Sequence, residues 1–333
     1  MRVCIVGDHS LPLDEGMKKT MHALVSALSR RCDVLALNPL EVGSLIFWST
    51  LIRHHPEVIH YIPGPSLYSF ILLALMKRVT SATTVMSLTH PDPALPKRAA
   101  CRFFKPDLLL SQTLQTEEEF QALGCTLAYL PNGVDTRQFY PVSNAKKLEL
   151  RRRYGIPKDA FVVLHVGNTR QVRNLESLTA LQDEATQVVV VSSTTIQGDA
   201  DIDTQLKAAG CLVLNQYIEA IEEVYMLADC YVFPTVDTVG AIAHPLSVME
   251  AMACNLPVVS RRFGALPRIF EPGNGLYFFD TDEELTAQVK TLRSTPGVIA
   301  TRDKVRQMDW DAIAEKALNL YQELCHKKPG GGN

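Results

Sequence analysis

The sequence predicts an α/β protein with two doubly wound parallel sheets that face a cleft. Its 333 residues exceed the size at which a single hydrophobic core usually stops growing, so two domains are expected. Short apolar runs alternate with helix-like stretches along both halves of the chain, which is typical of parallel βαβ units. Open sheets of this kind bind ligands at the carboxyl ends of their strands, and we expect the site there.

The first half contains six apolar runs of strand character. The first covers residues 2–7 and leads through a loop into a helix predicted over residues 17–30, whose apolar residues recur at helical spacing. The following strands are predicted at residues 33–37, 58–61, 83–86, 108–110 and 127–130. We infer a first domain over residues 1–150.

A polar, basic segment then interrupts the alternation, with Lys146, Lys147 and three arginines at residues 151–153. Beyond it, strands are predicted at residues 161–164, 188–191, 211–214, 230–233, 257–259 and 275–278. We infer a second domain over residues 151–308, an amphipathic helix over residues 309–326 and a mobile polar tail over residues 327–333.

The composition is that of an ordinary globular protein. Hydrophobic residues make up 47% of the chain and charged residues 21%, which excludes a largely disordered chain. The net charge of -3 argues against nucleic acid as a partner. The eight cysteines are scattered without a Cys-x-x-Cys pair, which favours reduced thiols in the cytoplasm over a disulfide framework or a zinc site. Because the first residues lead directly into a strand, we expect no secretory signal.

The segment AIAHPLSVMEAMACNLPVVS, at residues 241–260, predicts a phosphate-binding helix. Pro245 suits the first helical turn, and the backbone amides of Ser247 and Val248 at the positive end of the helix dipole suit a diphosphate. Glu250 lies one turn further on, where its carboxylate can accept hydrogen bonds from ribose hydroxyls. The pattern indicates a sugar-nucleotide site. The alternative is an ordinary helix-strand joint with a surface glutamate.

Several segments together resemble the family 4 retaining glycosyltransferases, also called glycosyl transferases group 1. They are PNGVD at residues 131–135 with Phe139 and Pro141, HVG at 165–167, YVFPT at 231–235, EAMAC with PVV at 250–259, and the last helix. Their order and spacing extend the likeness over nearly the whole chain. The family has the GT-B fold, in which two Rossmann-like domains face a cleft and the last helix crosses back to the first domain.

The resemblance implies transfer of a sugar from a nucleoside diphosphate sugar, with retention, as in a hexosyltransferase. The acceptor would be a glycan, a lipid-linked molecule or a small molecule, in cell-surface glycan or glycoconjugate biosynthesis. The second domain would hold the donor and the first domain the acceptor. Preorganised cations and amides at the leaving diphosphate would be the largest catalytic contribution. No cofactor beyond the donor substrate and no obligatory metal are implied.

The resemblance also assigns residues. The family's arginine at the diphosphate falls on Asn168 and its lysine on Arg173, so we expect Arg170 to supply the missing charge. The alternative is two solvated arginines on a loop. His90 corresponds to the family's histidine beside the reacting sugar, although a lone histidine is often structural. Gly16 corresponds to the glycine turn after the first strand, for which the alternative is a plain helix start.

One position departs from the family pattern. Of the family's two glutamates, Glu250 matches the second, but the first falls on Ile242, and His244 and Asp237 are the nearby polar candidates. The sugar, and whether the enzyme is active, therefore stay open. The catalytic candidates are His90, Arg170 and Arg173; the donor-binding candidates are Gly16, Gly167, Asn168, His244, Pro245, Leu246, Ser247, Val248 and Glu250.

Two rival functions stay open. A sugar-nucleotide epimerase on the same fold would need carboxylates poised as acid and base, and no matching cluster is visible. A non-catalytic partner subunit that binds nucleotide would explain Ile242 and Asn168. The Asp-x-Asp patterns at residues 199–203 are interpreted as a surface loop rather than a metal site.

Two apolar segments indicate contact with a membrane surface. Residues 45–48 and 68–76 are apolar, and basic residues flank the second at 77–78 and 97–98. Burial in the first domain explains them equally well. We expect a cytoplasmic protein that can lie peripherally on the inner face of a membrane.

Overall fold

The computed structural model describes residues 1–90, 99–194, 196–237 and 240–327. Two of the sequence predictions, the basic pair Lys97 and Arg98 and the tail beyond residue 327, concern residues outside these ranges. The chain divides into two compact units. The first contains Met1–Asn132, Ile242–His244 and the chain from Trp310, and the second contains Gly133–Ala241 and Pro245–Asp309.

The described residues form strands and helices in regular alternation. The strands are β1 (Arg2–Val6), β2 (Asp33–Leu37), β3 (Val58–Gly64), β4 (Thr83–Leu88), β5 (Leu108–Ser111), β6 (Leu127–Tyr129), β7 (Phe161–Val166), β8 (Thr186–Val191), β9 (Leu212–Leu214), β10 (Cys230–Phe233), β11 (Val258–Arg261) and β12 (Leu276–Phe279). The helices are α1 (Gly16–Ser29), α2 (Leu45–His54), α3 (Leu67–Thr80), α4 (Leu114–Gln121), α5 (Asn144–Arg153), α6 (Ala200–Ala208), α7 (Glu222–Met226), α8 (Leu246–Ala253), α9 (Leu266–Ile269), α10 (Asp282–Ser294), α11 (Thr301–Val305) and α12 (Trp310–Lys327). Short 3₁₀ helices cover Pro39–Glu41, Ala99–Phe103, Gln171–Arg173 and Leu175–Leu181.

The sheet of the first unit is parallel throughout and has the strand order β2-β1-β3-β4-β5-β6. Successive side chains of a strand point to opposite faces, so Cys4 and Val6 pack in one hydrophobic cluster while Val3 and Ile5 pack in another. Helices α2, α3 and α4 cover the first face, and α1 with α12 covers the second. Strands buried on both faces explain the continuous apolar runs in the sequence.

The sheet of the second unit is also parallel and has the order β12-β11-β10-β7-β8-β9. The chain winds outward from β7 to β9 and then returns to the other side of β7 with β10. The order therefore reverses between β7 and β10, which marks the point where open α/β sheets bind ligands at the carboxyl ends of their strands. Both predicted doubly wound sheets are confirmed.

The structure differs from the sequence prediction at one domain boundary and in one loop. The second unit begins at Gly133 rather than at residue 151, because Val134, Phe139 and Leu150 pack into its core. The interpretation of residues 199–203 as a surface loop was wrong. Asp199 accepts a hydrogen bond from the Asp201 amide and caps α6, which places residues 200–203 in a helix.

Two findings bear on the environment of the chain. None of the eight cysteines, all of which lie among the described residues, forms a disulfide, and five of them are buried. Among the described residues, no helix is long and apolar enough to cross a membrane.

Candidate functional site

The candidate site of the second unit lies at the carboxyl ends of β7 and β10, where the strand order reverses. Gly167 follows β7 directly, and Thr235 lies two residues beyond β10. The loop from Gly167 continues into the 3₁₀ helix that contains Arg173. Because β7 and β10 are parallel neighbours, both loops lie at the same edge of the sheet.

Gly167 allows a very close approach of Arg173. A β-carbon at Gly167 would overlap the Arg173 guanidinium and would lie 3.2 Å from Nε2 of His165. His165 donates through Nδ1 to the Val232 carbonyl oxygen at 2.9 Å, which leaves Nε2 as an acceptor on the guanidinium side. The absence of a side chain at Gly167 therefore determines where Arg173 can lie.

Arg173 is a buried cation, with only 8% of its surface exposed. No carboxylate of the described residues lies within 4.0 Å of it, and its Nε atom has no hydrogen-bond partner among them. Burial lowers its pKa to about 10, and the charge of Arg170 contributes in the same direction, so the guanidinium still carries its charge at neutral pH. A buried charge of this kind is stabilised by an anionic ligand. Arg170 itself is exposed.

Helix α8 presents its first turn near the same loop. Pro245 is the residue before its first turn, and no side chain caps the helix. The amides of Leu246, Ser247 and Val248 occupy the first turn, where backbone N–H groups have no partner within the helix. An anion is the natural ligand for such a helix end.

Tyr231 joins these parts. Its hydroxyl donates to the Val166 carbonyl oxygen at 3.4 Å and also forms a hydrogen bond with the Ser247 side chain. Arg173 and Glu250 are close enough to influence the pKa of its phenol, which burial raises most strongly. The structure thus brings Gly167, Arg173, Ser247 and Glu250 around one buried tyrosine.

Glu250 is held by a second tyrosine. The Tyr225 hydroxyl donates to Oε2 of Glu250 at 2.6 Å, and both residues are buried. Burial first, and the Glu250 charge second, raise the pKa of Tyr225 well above its usual value, so the phenol keeps its proton and stays a donor. The alternative interpretation of Glu250 as a surface residue does not fit, because its side chain is only 5% exposed.

Buried polar atoms without a partner mark the same region. Besides Arg173 Nε, they include His165 Nε2, Asn168 Oδ1, Thr169 Oγ1 and Thr235 Oγ1, none of which has a hydrogen-bond partner among the described residues. A buried polar atom left unpaired costs about 1–3 kcal/mol. These atoms cluster around the carboxyl ends of β7 and β10, which indicates a site where a polar ligand would supply the missing hydrogen bonds.

The other candidates lie in the first unit, at the carboxyl edge of its sheet. Gly16 is the first residue of α1, and a β-carbon there would lie 3.2 Å from the Ile242 side chain. His90 is partly exposed and follows β4. The Ala243 amide donates to the Thr89 carbonyl oxygen at 3.0 Å. The segment Ile242–His244 therefore packs beside α1 and the loop that carries His90.

His244 is completely buried and tied to Asn132. Its Nδ1 accepts from the Asn132 amide at 3.1 Å, and its carbonyl oxygen accepts from Asn132 Nδ2 at 2.9 Å. Burial lowers the pKa of His244 to about 3, so the imidazole is neutral at physiological pH and carries its hydrogen on Nε2. His244 can donate a hydrogen bond but cannot supply a positive charge. Asp237 is exposed, and Ile242 is apolar and buried.

Sequence reasoning did not assign roles to Tyr225, Tyr231 and His165 as individual residues. Tyr231 and His165 stood within two of the recognised segments, but Tyr225 lies in a helix with no motif, and only tertiary packing brings it to Glu250. The described residues contain no group of three or more His, Cys, Asp or Glu side chains that could hold a metal ion.

Comparison with known proteins identifies relatives. Residues 160–294 match the family model described as glycosyl transferases group 1. The chain is 26% identical over 315 residues to sulfoquinovosyl transferase SQD2 of Arabidopsis thaliana, covering 86% of this chain and 59% of that protein. It is 27% identical over 247 residues to D-inositol 3-phosphate glycosyltransferase of Corynebacterium jeikeium, covering 66% of this chain and 58% of that protein. The chain therefore spans less than three fifths of the length of each of these two curated relatives.

Solved structures share the fold. Sucrose-phosphate synthase from Thermosynechococcus elongatus has a TM-score of 0.78 at 16% identity, with 97% of this chain and 98% of that chain covered. Anabaena HepE, solved in complex with UDP, has a TM-score of 0.74 at 14% identity, with 97% and 99% covered. The expected GT-B fold and the expected resemblance to group 1 glycosyltransferases are confirmed.

Proposed function

We propose that this chain, which resembles the glycosyl transferases group 1, transfers a sugar from a nucleoside diphosphate sugar to an acceptor with retention of configuration. The observation that carries the proposal is Arg173, a buried cation without a carboxylate partner among the described residues, which has Tyr231 as a neighbour in common with the uncapped first turn of α8. A diphosphate satisfies both features at once, because it brings negative charge and several acceptor oxygens.

Each residue of the second unit then has a role. Arg173 and the amides of Ser247 and Val248 bind the diphosphate, and exposed Arg170 can reach its solvent side. Glu250, oriented by Tyr225, accepts hydrogen bonds from the ribose hydroxyls. Negative charge grows on the diphosphate as the glycosidic bond breaks, so these fixed positive groups stabilise the transition state more than the ground state.

The first unit holds the acceptor in this proposal. His90 at the end of β4 approaches the reacting sugar, and neutral His244 donates a hydrogen bond to a sugar oxygen in place of the glutamate that Ile242 replaces. The product is a glycan or a glycolipid, formed by a cytoplasmic enzyme that lies peripherally on a membrane through α2 and α3. No metal takes part in donor binding.

A donor-binding measurement tests the proposal. The melting temperature of the full chain is recorded with UDP, GDP, ADP, TDP and their sugars, since a ligand at 100 times its dissociation constant adds about 2.7 kcal/mol of stability. We expect one nucleotide to raise the melting temperature selectively, and we expect Glu250→Ala to abolish this shift. Glu184→Ala, which removes an exposed glutamate of the same unit, serves as the matched control.

The outcomes separate the rival functions. Donor binding together with acceptor-dependent release of the nucleotide supports the transferase. Binding without turnover favours the non-catalytic partner subunit, and turnover without an acceptor favours the epimerase. If none of the nucleotides shifts the melting temperature, the proposed donor site is wrong.

A further inference from the structure

A cavity of about 510 Å³ opens in the first unit at the carboxyl ends of β1 and β3. In the strand order β2-β1-β3-β4-β5-β6, the winding reverses between β1 and β3, so the cavity lies at the ligand-binding position of this sheet. Its volume falls within the range of small-molecule pockets, about 300–1,000 Å³. This cavity, called here the β1–β3 pocket, contains none of the residues assigned to donor binding.

Most of the pocket wall is apolar. The side chains that form it come from α1, the loop after β2, β3 itself and the start of α3, and they are Met17, Met21, Leu40, Tyr61, Ile62 and Tyr68. Methionines adapt their shape to flexible apolar ligands, and burial of apolar area supplies most of the binding energy in such pockets. The wall therefore favours an aliphatic group over a second sugar ring.

Two carboxylates give the pocket a polar end. Asp8 accepts from the Ser10 amide at 2.9 Å and lies 3.6 Å from the Lys18 ammonium. Glu15 caps α1 by accepting from the amides of Met17 and Lys18 at 3.3 and 3.4 Å. Carboxylates offer about four acceptor positions each, so both can accept further hydrogen bonds from hydroxyl groups of a ligand.

The pocket also connects with the predicted reaction centre of the same unit. The Thr89 hydroxyl contacts the sulfur of Met17, a pocket residue, at 3.6 Å. Thr89 immediately precedes His90, the residue expected beside the reacting sugar. A ligand in the pocket therefore lies close to the segment that would receive the transferred sugar.

The mouth of the pocket is exposed and apolar. Leu40 is 83% exposed and Tyr68 is 55% exposed. Tyr68 also belongs to an apolar face of α3 that continues with Ile71 and Leu75, both more than 40% exposed. A chain that leaves the pocket past Tyr68 therefore meets further apolar surface.

We propose that the β1–β3 pocket binds the apolar chain of the acceptor, an alkyl or acyl group attached to a hydroxyl-bearing head. The inference rests on the proposed glycosyl transfer, which it deepens by naming the acceptor class. The chain occupies the methionine-lined wall, and the hydroxyl groups of the head lie toward Asp8 and Glu15. This polar end adjoins the Thr89–His90 segment through Met17.

Two glucosides that differ only in their tail test this inference. Binding of octyl β-D-glucoside, kept below its micelle concentration, is compared with that of methyl β-D-glucoside by titration calorimetry on the full chain. Each buried methylene strengthens binding about four-fold, so we expect the octyl compound to bind at least ~30-fold more tightly. Equal affinities would overturn the proposal. Trp48 supplies an optical signal, because its indole donates at 2.8 Å to the carbonyl of the pocket residue Val42.

Surface variants locate the binding. Leu40→Asp places a charge at the mouth of the pocket, and we expect it to remove at least ten-fold of the octyl preference. Leu45→Asp changes a residue of the same type and nearly the same exposure, 86% against 83%, outside the pocket, and the preference should survive. Tyr68→Ala should weaken the preference in the same direction as Leu40→Asp. An octyl preference that is identical in all three variants would place the chain elsewhere and overturn the assignment.

The donor experiment keeps the two proposals distinct. If nucleotides bind and depend on Glu250 but octyl glucoside binds no better than methyl glucoside, only the acceptor inference fails. If octyl glucoside binds with the expected dependence on Leu40 but no nucleotide shifts the melting temperature, the glycosyl-transfer proposal fails and the pocket stands as a lipid-binding site.

Discussion

Gly167 and Arg173 form a pair, because the missing side chain at Gly167 leaves the space in which the Arg173 guanidinium lies. The guanidinium occupies the space that a side chain at Gly167 would fill, and Nε2 of His165 would lie 3.2 Å from a β-carbon built there. Glu250 and Tyr225 form a second pair, in which a buried phenol orients a buried carboxylate. Both pairs hold a charged side chain in a buried position, and buried charged groups are concentrated at functional sites.

Gly167→Ala should displace Arg173 and weaken nucleotide binding at least ten-fold while the unit stays folded. The added methyl group overlaps the guanidinium, which is flexible and can swing away toward solvent. Affinity is measured by calorimetry with the nucleotide selected in the thermal-shift experiment. Gly43→Ala is the control, because a β-carbon at Gly43 has no atom within 4 Å. Unchanged affinity in Gly167→Ala would mean that Arg173 does not bind the diphosphate.

Tyr225→Phe should destabilise the protein by about 1–3 kcal/mol, because Glu250 loses a buried hydrogen-bond donor. We also expect nucleotide affinity to fall about five-fold or more, since the carboxylate is less well oriented for the ribose. Urea unfolding and calorimetry measure the two effects. Tyr217→Phe removes the hydroxyl of a tyrosine that is 46% exposed and should change neither quantity. A loss of stability with full nucleotide affinity would show that Tyr225 is structural only.

At the level of elements, α2 and α3 each have several large apolar side chains exposed to solvent. Tyr68, Ile71, Leu75 and Val79 recur at spacings of three and four residues along α3 and are 42–55% exposed. Leu45 and Ile46 of α2 are 86% and 74% exposed. Neither helix contains Asp or Glu, and the last turn of α3 contains exposed Arg78 and Lys77, which forms an ion pair with Asp107. An apolar face beside an exposed arginine is complementary to an anionic lipid surface.

Leu75→Glu should lower partitioning of the protein onto anionic vesicles about ten-fold or more, because it places a negative charge at the centre of the α3 face. Co-sedimentation with vesicles of phosphatidylglycerol and phosphatidylcholine measures the partitioning. Leu148→Glu is the matched control, since Leu148 is 45% exposed against 46% for Leu75 but lies on α5 in the second unit. Equal binding of both variants would show that α3 does not contact the lipid.

At the level of the whole molecule, buried neutral histidines occur in both units, two in the first and one in the second. His60 is hydrogen-bonded to the Tyr321 hydroxyl and to Ser87, both at 2.7 Å, and so links β3 to α12 and β4. Burial lowers the pKa values of His60 and His244 in the first unit, and of His165 in the second, to about 3. Between pH 6.5 and pH 3 the unfolded chain therefore binds more protons than the folded chain.

These histidines should therefore leave the free energy of unfolding unchanged well above pH 6.5. They should lower it as the pH drops below 6.5. At pH 5, each of these histidines destabilises the fold by about 2 kcal/mol. Urea unfolding at pH 7.5 and pH 5, followed by tryptophan fluorescence, reports the first unit, because both Trp48 and Trp310 belong to it.

His60→Gln should make the difference in unfolding free energy between the two pH values smaller by about 2 kcal/mol. His22→Asn, which changes an exposed histidine of the same unit, should leave the difference unchanged. If His60→Gln shows the same pH dependence as the unsubstituted chain, the buried histidine does not control acid sensitivity.

The sequence by itself determined the two parallel sheets and the resemblance to group 1 glycosyltransferases, and it predicted phosphate binding at residues 245–250. These are local properties, because strand and helix periodicity, capping and motif spacing are written in neighbouring residues. Only the tertiary structure decided that Tyr225 bonds Glu250 from another helix, that Arg173 is buried over Gly167, and that the β1–β3 pocket is apolar. Burial, charge pairing and cavity shape depend on residues far apart in the chain, and packing alone brings those residues together.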